Sequence, residues 1–324
     1  MTGVQASRLP AKSANALRCR ENFKDAEEAF ASKTRWQAGR LRSSQNMTLS
    51  KQSVAVITGA ASGIGRALAV RLAGEGISGI AISDINQTEL DKTEEMIGKI
   101  GVTVSSHIVD VSKLDQIQRF AGEVLAKHGR VTHLINNAGV GLVGTFDQLS
   151  IEDFEWMMGI NFWGVVYGTK VFLPIMLEQE KAHLINVSSV FGLIAPPEQS
   201  AYCAAKFAVR GFTESLRHEL AETNVTVSCV HPGGIKTNIV RNARVGEGAL
   251  EEWKTQGAEF FDKITQTTAE EAAEIILKGI KKKNPRILIG EDAKQISKVA
   301  RIYPKKYLKV LERLNKHKMS LREK

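Results

Sequence analysis

The stretch Val54-Ala55-Val56-Ile57-Thr58-Gly59-Ala60-Ala61-Ser62-Gly63-Ile64-Gly65 decides how this 324-residue chain is read. Val54 to Ile57 is a short, unbroken apolar run, as a strand buried on both faces requires. It ends at Gly59. Gly59, Gly63 and Gly65 then set a tight turn into Ile64, Leu68, Ala69 and Leu72, whose spacing is helical. Backbone N–H groups at such a helix start, approached closely because glycine has no Cβ, can hold a pyrophosphate at the positive end of the helix dipole. The spacing is Gly-x-x-x-Gly-x-Gly rather than Gly-x-Gly-x-x-Gly, and a bare turn between strand and helix would use the same residues.

Working outward, Ile80 to Asp84 reads as a second buried strand ending in an acid, 19 residues beyond Gly65. A carboxylate about twenty residues past a glycine turn suits the adenosine ribose hydroxyls and repels a 2′-phosphate. With Ser62, not a basic residue, before Gly63, NAD is favoured over NADP. A turn or helix-capping carboxylate is the alternative for Asp84. Glu89–Ile100 then reads as helix, Val102–Val109 as strand, Leu114–His128 as helix and Val131–Ile135 as strand. Strands alternating with helices select an α/β fold, a doubly wound parallel sheet of the Rossmann type, because parallel strands need long right-handed crossovers. Ligands bind beyond the carboxyl ends of such strands, where Thr58, Asp84, Asp110, Asn136 and Asn137 stand.

Composition is that of an ordinary globular chain, with 43% hydrophobic and 24% charged residues. The net charge of +9 sits at the ends: residues 1–46 carry nine basic and four acidic groups and residues 281–324 fifteen and four, leaving 20 basic against 27 acidic between. A phosphate-tracking groove needs basic side chains on the folded body, so nucleic acid is not the expected partner. Cys19, Cys203 and Cys229 are too few and too scattered for a disulfide framework or a cysteine metal site. No uninterrupted apolar stretch approaches membrane-spanning length; Phe162–Leu177 is broken by Lys170 and Pro174. A soluble, cytoplasmic protein without a metal is expected. The expected divisions are an extension at 1–46, a dinucleotide-binding catalytic domain at 47–290 and a basic amphipathic extension at 291–324. The first is read as disordered or as translated sequence upstream of Met47, with an arginine-rich transit peptide as the alternative.

At Asn136-Asn137-Ala138-Gly139, taken with the glycine turn, the sequence resembles the short-chain dehydrogenase/reductase family from about Val54 to Ile289. Ile151–Leu177 reads as one long helix with Asn161 at its middle. Leu184–Val187 reads as a strand ending in Ser188-Ser189, and Tyr202-Cys203-Ala204-Ala205-Lys206 supplies a Tyr-x-x-x-Lys pair. Ser189 precedes Tyr202 by 13 residues, which favours it over Ser188 as the catalytic hydroxyl. Val225–Val230 leads into His231-Pro232-Gly233-Gly234-Ile235-Lys236-Thr237, similar to the family's nicotinamide-side loop.

The resemblance implies an NAD(P)-dependent oxidoreductase interconverting a secondary alcohol and a ketone. Its expected catalytic residues are Asn161, Ser189, Tyr202 and Lys206. The cofactor is expected against Gly59, Ser62, Gly63, Ile64, Gly65, Asp84, Asp110, Val111, Asn137, Ala138, Gly139, Pro232 and Thr237, as well as Tyr202 and Lys206. A free phenol titrates near pH ~10; an ammonium one helical turn on, with oxidised nicotinamide, is expected to lower that value. By the family pattern Lys206 also holds the nicotinamide ribose, Asn161 places a water, Thr237 holds the carboxamide, and Asp110 with Val111 the adenine. The family is usually dimeric or tetrameric. A redox-inactive cofactor-binding scaffold, and a lyase or epimerase using nicotinamide transiently, are the alternatives.

Val140, Leu142, Val190 to Pro196, Ile239, Val240, Trp253, Phe260 and Phe261 form an apolar inventory near the expected reaction site. They suit a lipophilic steroid, retinoid or acyl substrate, or else pack a lid on the sheet. In the tail, Ile296, Val299, Tyr303, Tyr307, Leu308, Leu311 and Leu314 recur near helical spacing among lysines and arginines, interrupted at Pro304. That stretch is expected to dock on its own body or a second subunit, with an anionic membrane surface as the alternative.

Overall fold

The computed structural model describes residues 49–247, 257, 259 and 265–322, with side chains as far as 314. The extension 1–46 with Cys19, and Trp253, Phe260 and Phe261, lie outside the described residues.

The first strand, β1 (Val54–Thr58), is buried at every position and runs through the glycine turn into α1 (Gly63–Ala73). Strand and helix then alternate: β2 (Gly79–Asp84), α2 (Gln87–Gly98), β3 (Thr103–Ile108), α3 (Leu114–His128) and β4 (His133–Asn136). After the short β5 (Leu142–Val143) come α4 (Ile151–Met158), α5 (Gly164–Leu177), β6 (Ala182–Val187), α6 (Ser200–Glu219) and β7 (Val225–Pro232). A short β8 (Arg244–Val245) is followed by α7 (Ala269–Lys281), β9 (Arg286–Ile289), α8 (Glu291–Ile302) and α9 (Tyr307–Arg322).

Seven strands pair in the order β3-β2-β1-β4-β6-β7-β9, all parallel. The order reverses between β1 and β4, the crevice where doubly wound sheets bind ligands. Alternation along β1 divides the core: Ala55 and Ile57 face one apolar layer with Leu68, Leu72, Ile276 and Ile280. Val56 faces the other, with Phe120, Leu134, Phe172 and Met176. Both faces of the central strands are covered, so β1 is apolar from Val54 to Ile57, whereas the edge strand β3 is partly exposed and carries Ser105, Ser106 and His107.

Several boundaries lie a residue or two from their expected places, and at two of them the local reason is plain. Helix α2 starts earlier than Glu89 because the Asn86 side chain accepts from Glu89 N at 3.1 Å and so caps it. Strand β4 starts at His133, since the Thr132 hydroxyl is taken up by Val54 N and O at 2.9 and 3.0 Å.

The expected helix Ile151–Leu177 is continuous but not uniform. Gly159–Trp163 is a π turn, in which Gly164 N–H reaches back to Gly159 O. π turns widen a helix by one residue and are common at functional sites, and this one carries the buried Asn161. By length and composition alone the 27-residue run is apolar enough to cross a membrane, even with the breaks at Lys170 and Pro174. It lies against the sheet, however, with Val165, Phe172 and Met176 buried.

Buried polar groups tie the centre of the sheet to its helices. Asn136 Nδ2 donates to Asn186 Oδ1 at 2.9 Å and to Thr169 Oγ1 at 3.2 Å, and Asn186 Nδ2 donates to Thr213 Oγ1 at 3.0 Å. Gly168 makes the room, because a Cβ there would overlap Asn136.

Three buried histidines set the acid limit of the fold. Burial pushes His133 and His231 down to about 4 and His183 well below its ordinary 6.5. Unfolding lets each regain a proton near pH 6.5 that the folded chain refuses, until about pH 4 at His133 and His231 and until well below 6.5 at His183. Stability is therefore expected to be full above that range and to fall steadily as pH is lowered through it. Urea midpoints measured between pH 7 and pH 4 check this; a flat profile would contradict it.

Candidate active site

At the glycine turn, Gly59 has φ +66°, in the left-handed region, and a Cβ there would lie 2.6 Å from Ala138 Cα. The turn and the end of β4 are thus in close contact, which Asn137 fastens by donating from Nδ2 to Thr58 O and Gly59 O, both at 3.0 Å. Thr58 Oγ1 accepts from Asn137 N and Ala138 N at 3.1 Å. Gly63 has φ +51°, and its open side faces Thr237 Cγ2. Ser62 is exposed and makes no side-chain cap, and the first turn of α1, with Ile64 and Gly65, holds no acid. A helix start left without a carboxylate or a capping hydroxyl fits an external anion.

Asp84 ends β2 half-buried. Its Oδ2 accepts from Ala61 N at 3.0 Å and its Oδ1 from Ile85 N at 2.8 Å and Asn86 N at 3.1 Å. The carboxylate therefore organises the turn while standing beside the glycine loop, so the alternative reading of Asp84 holds part of the truth. Asp110 is likewise engaged, accepting from Ser112 N and Oγ at 2.9 and 2.7 Å. Val111 is buried against Gly164.

Beyond Gly139 the second half of the site begins. A Cβ on Gly139 would stand 3.1 Å from Asn161 Oδ1 and 3.4 Å from Lys206 Nζ, so these two groups flank the glycine. Asn161 accepts from Val140 N at 2.8 Å and donates to Val140 O at 3.0 Å. The amide spans the Val140 backbone, a role the sequence does not reveal, and the π turn aims it there. Lys206 is buried on α6 and its ammonium donates to Val187 O at 3.1 Å.

The two serines after β6 part company. Ser188 Oγ donates to Lys206 O at 2.8 Å and is enclosed. Ser189 Oγ accepts from Phe191 N at 3.1 Å and is also hydrogen-bonded to the Tyr202 hydroxyl. Its carbonyl is fixed by His231, whose Nδ1–H donates to it at 2.9 Å.

Tyr202 stands half-buried, edge-on to Phe191 with ring centroids 6.1 Å apart. Lys206 Nζ lies 5.7 Å from its ring centroid. The expectation that Lys206 depresses the phenol is not met in the chain by itself. Burial pushes Tyr202 up to about 12 against the opposing pull of the Ser189 hydroxyl. Burial also brings Lys206 down to about 8. Desolvation disfavours both charged forms and is the largest influence on each.

The apolar inventory divides residue by residue. Leu142, Val190, Leu193 and Ile194 are buried and serve as packing, whereas Val140, Phe191, Ile239 and Val240 keep open surface. A cavity of about 1000 Å³ adjoins the glycine turn, lined by Gly63, Ala67, Val70, Lys236, Thr237 and Thr268, among others.

Several residues that hold this site together carry no motif. Strand β8 pairs with β5, and Arg244 on it donates to Asp153 at 3.2 Å and covers the Trp156 ring at 4.2 Å. The tail lies on its own body, with Ala293 and Val299 buried and Tyr307 Oη accepting from Ala195 N at 3.1 Å. Helical spacing marked Tyr307 as apolar and said nothing of its hydroxyl.

A family model described as short chain dehydrogenase matches residues 53–248. The chain belongs to the short-chain dehydrogenase/reductase family. Among its relatives in this family of oxidoreductases, the putative oxidoreductase SadH of Mycobacterium tuberculosis is 45% identical over 261 residues, 80% of this chain and 93% of that one. The 3-oxoacyl-[acyl-carrier-protein] reductase FabG of Thermotoga maritima is 36% identical over 184 residues, 57% of this chain and 74% of that protein. A short-chain dehydrogenase/reductase from Burkholderia phymatum, solved in complex with NAD, superposes with a TM-score of 0.71 at 32% identity. It covers 77% of this chain and 92% of that one.

Proposed function

We propose that this chain is an NAD-dependent oxidoreductase that interconverts a secondary alcohol and a ketone on a lipophilic substrate. The observation that carries the reading is the grouping of Ser189, Tyr202 and Lys206 beside Gly139, which Asn137 and Ala138 join directly to the glycine turn.

In this reading Gly59 to Gly65 takes the pyrophosphate, Asp84 the adenosine ribose, Asp110 and Val111 the adenine, and Pro232 and Thr237 the carboxamide side. The nicotinamide, when bound, exchanges a hydride with the carbinol carbon. Ser189 Oγ, which stands at hydrogen-bonding distance from Tyr202, holds the substrate oxygen between the two hydroxyls. Tyr202 Oη gives a proton to that oxygen in reduction and takes it in oxidation. Because burial keeps the phenol protonated, the chain is set to donate; service as a base needs the positive charges of Lys206 and of oxidised nicotinamide nearby. Asn161 holds the Val140 backbone beside Lys206.

Preference for NAD has a specific support in Arg66, the basic residue nearest the turn. Its guanidinium is bound to Glu89 Oε2 at 2.7 Å, Glu89 O at 3.0 Å and Thr93 Oγ1 at 2.9 Å, and also to Ala61 O. A cation so engaged is poorly placed to receive a 2′-phosphate, and Asp84 repels one. Half-buried Val140, Phe191, Ile239 and Val240 favour an apolar substrate, and the reductase relative acts by its name on a 3-oxoacyl group. Cys203 and Cys229, both free thiols, fit a reducing compartment such as the cytoplasm.

NADH absorbance followed with a panel of secondary alcohols, in parallel with NAD and NADP, tests this. NADH should form with apolar alcohols and NADP should support at most a small fraction of that rate. Cofactor binding with no net NADH would favour the scaffold or lyase readings instead.

A further inference from the structure

The backbone of the Gly233–Thr237 loop is held from outside at three points, by the end of β9, by the first turn of α8 and by Thr267, just ahead of α7. Gly233 N donates to Ile289 O at 2.9 Å, Gly234 N to Asp292 Oδ2 at 2.7 Å, and Lys236 N to Thr267 O at 2.9 Å. Asp292 is the side chain in this set. It sits in the first turn of α8, past Gly290, whose φ of +94° lies where other residues are strained. The carboxylate occupies a slot between two glycines, since a Cβ on either Gly233 or Gly290 would overlap it. Ala293, its neighbour, is fully buried, so the helix start cannot swing away freely. The loop fixed in this way ends at Thr237, whose Cγ2 meets the open side of Gly63. The loop is thus anchored by Asp292 at Gly234 and meets the glycine turn at Thr237.

We propose that Asp292 is a positioning residue for the nicotinamide half of the cofactor: it sets the Gly233–Thr237 loop, and through it Thr237, from the far end of the chain. This rests on the dinucleotide reading above. A carboxylate accepting from a backbone N–H gives a stronger, more directional hold than a neutral acceptor. Without it the loop loses its external bond at Gly234, three residues before Thr237, while the Lys236 N–Thr267 O bond stays, and a contact to the carboxamide is weakened. The adenosine ribose, assigned to Asp84, has no part in this clasp, since the Asp84 carboxylate bonds only Ala61, Ile85 and Asn86 among the described residues.

The test compares the full-length protein with Asp292→Ala and Asp292→Asn by calorimetric titration of NADH and of ADP-ribose, which lacks the nicotinamide. Loss of one hydrogen bond to the ligand corresponds to roughly tenfold in affinity. Asp292→Ala is expected to weaken NADH by about that factor while ADP-ribose changes less than about twofold. Asp292→Asn, whose Oδ1 can accept the same bond, is expected to restore most of the NADH affinity. Should Asp292→Ala fail to fold, Gly233→Ala displaces the carboxylate sterically and is read with the same two ligands. Equal loss of both ligands, or no loss of either, overturns the proposal. A wild-type chain that binds neither ligand overturns the dinucleotide reading itself, a result distinct from the other two.

Discussion

Replacing Tyr202 by Phe is expected to reduce the turnover of a secondary alcohol by about three to four orders of magnitude, the upper range for removal of a general acid–base group. The substitution deletes one hydroxyl and leaves the ring in place, edge-on to Phe191. Nothing in α6 depends on that hydroxyl, because the helix is secured by buried Ala201, Ala205, Val209 and Leu216. Thermal stability should stay within a few degrees and NAD affinity within a few-fold of wild type. Stopped-flow or steady-state NADH formation, with NAD titrated separately, checks both halves. A variant as active as the parent would remove Tyr202 from the chemistry and the alcohol–ketone reading with it.

Lys206→Met is expected to separate activity from stability. The ammonium is 3% exposed and donates to Val187 O. Burial lowers its proton affinity from 10.5 to about 8, so keeping it charged at neutral pH costs the folded chain about 3 kcal/mol. The sign follows from linkage: the cost is full below pH about 8 and fades as pH rises toward 10.5, where the unfolded chain also loses its proton. Methionine fills a similar volume without charge, although Val187 O then lacks a donor, which costs about 1–3 kcal/mol. At pH 7 the variant should therefore melt no lower than wild type, and its relative advantage should shrink by pH 10. Turnover should nevertheless drop by about a thousandfold, with NAD bound roughly tenfold more weakly. Groups tuned for function often destabilise the fold that holds them. A clear drop in melting temperature with turnover intact would show Lys206 to be a structural residue.

Much of this molecule was legible residue by residue. Strands β1, β2 and β6 are buried at nearly every position and carry short apolar runs such as Val54–Ile57 and Ile80–Ile82, because both sheet faces are covered, and that condition writes itself into any short window. The turn at Gly59–Gly65 and the spacing from Ser189 through Tyr202 to Lys206 are local as well. Other features resisted. Periodicity runs through Gly159–Trp163 without a break, so one extra residue in the helical turn left no mark on the pattern. Asp84 looked like either a ribose ligand or a turn carboxylate, and its bonds to Ala61, Ile85 and Asn86 place it in the turn as well. For the tail, amphipathic spacing left several partners open, and the Tyr307–Ala195 bond joins it to its own serine loop.

What the sequence settled was therefore the doubly wound sheet, the family, and which positions bear the Tyr-x-x-x-Lys pair, because each follows from a repeat or spacing within a few dozen residues. Packing alone decided that Ser188 is spent on Lys206 O while Ser189 is not, and that Arg66 is already bound. It also decided that burial governs the phenol more than the ammonium does. The clasps Asp292–Gly234, Arg244–Asp153 and Tyr307–Ala195 join residues 58, 91 and 112 positions apart. Contacts at such separations exist only once the layers have closed, since neither partner's neighbours in sequence carry any trace of the other.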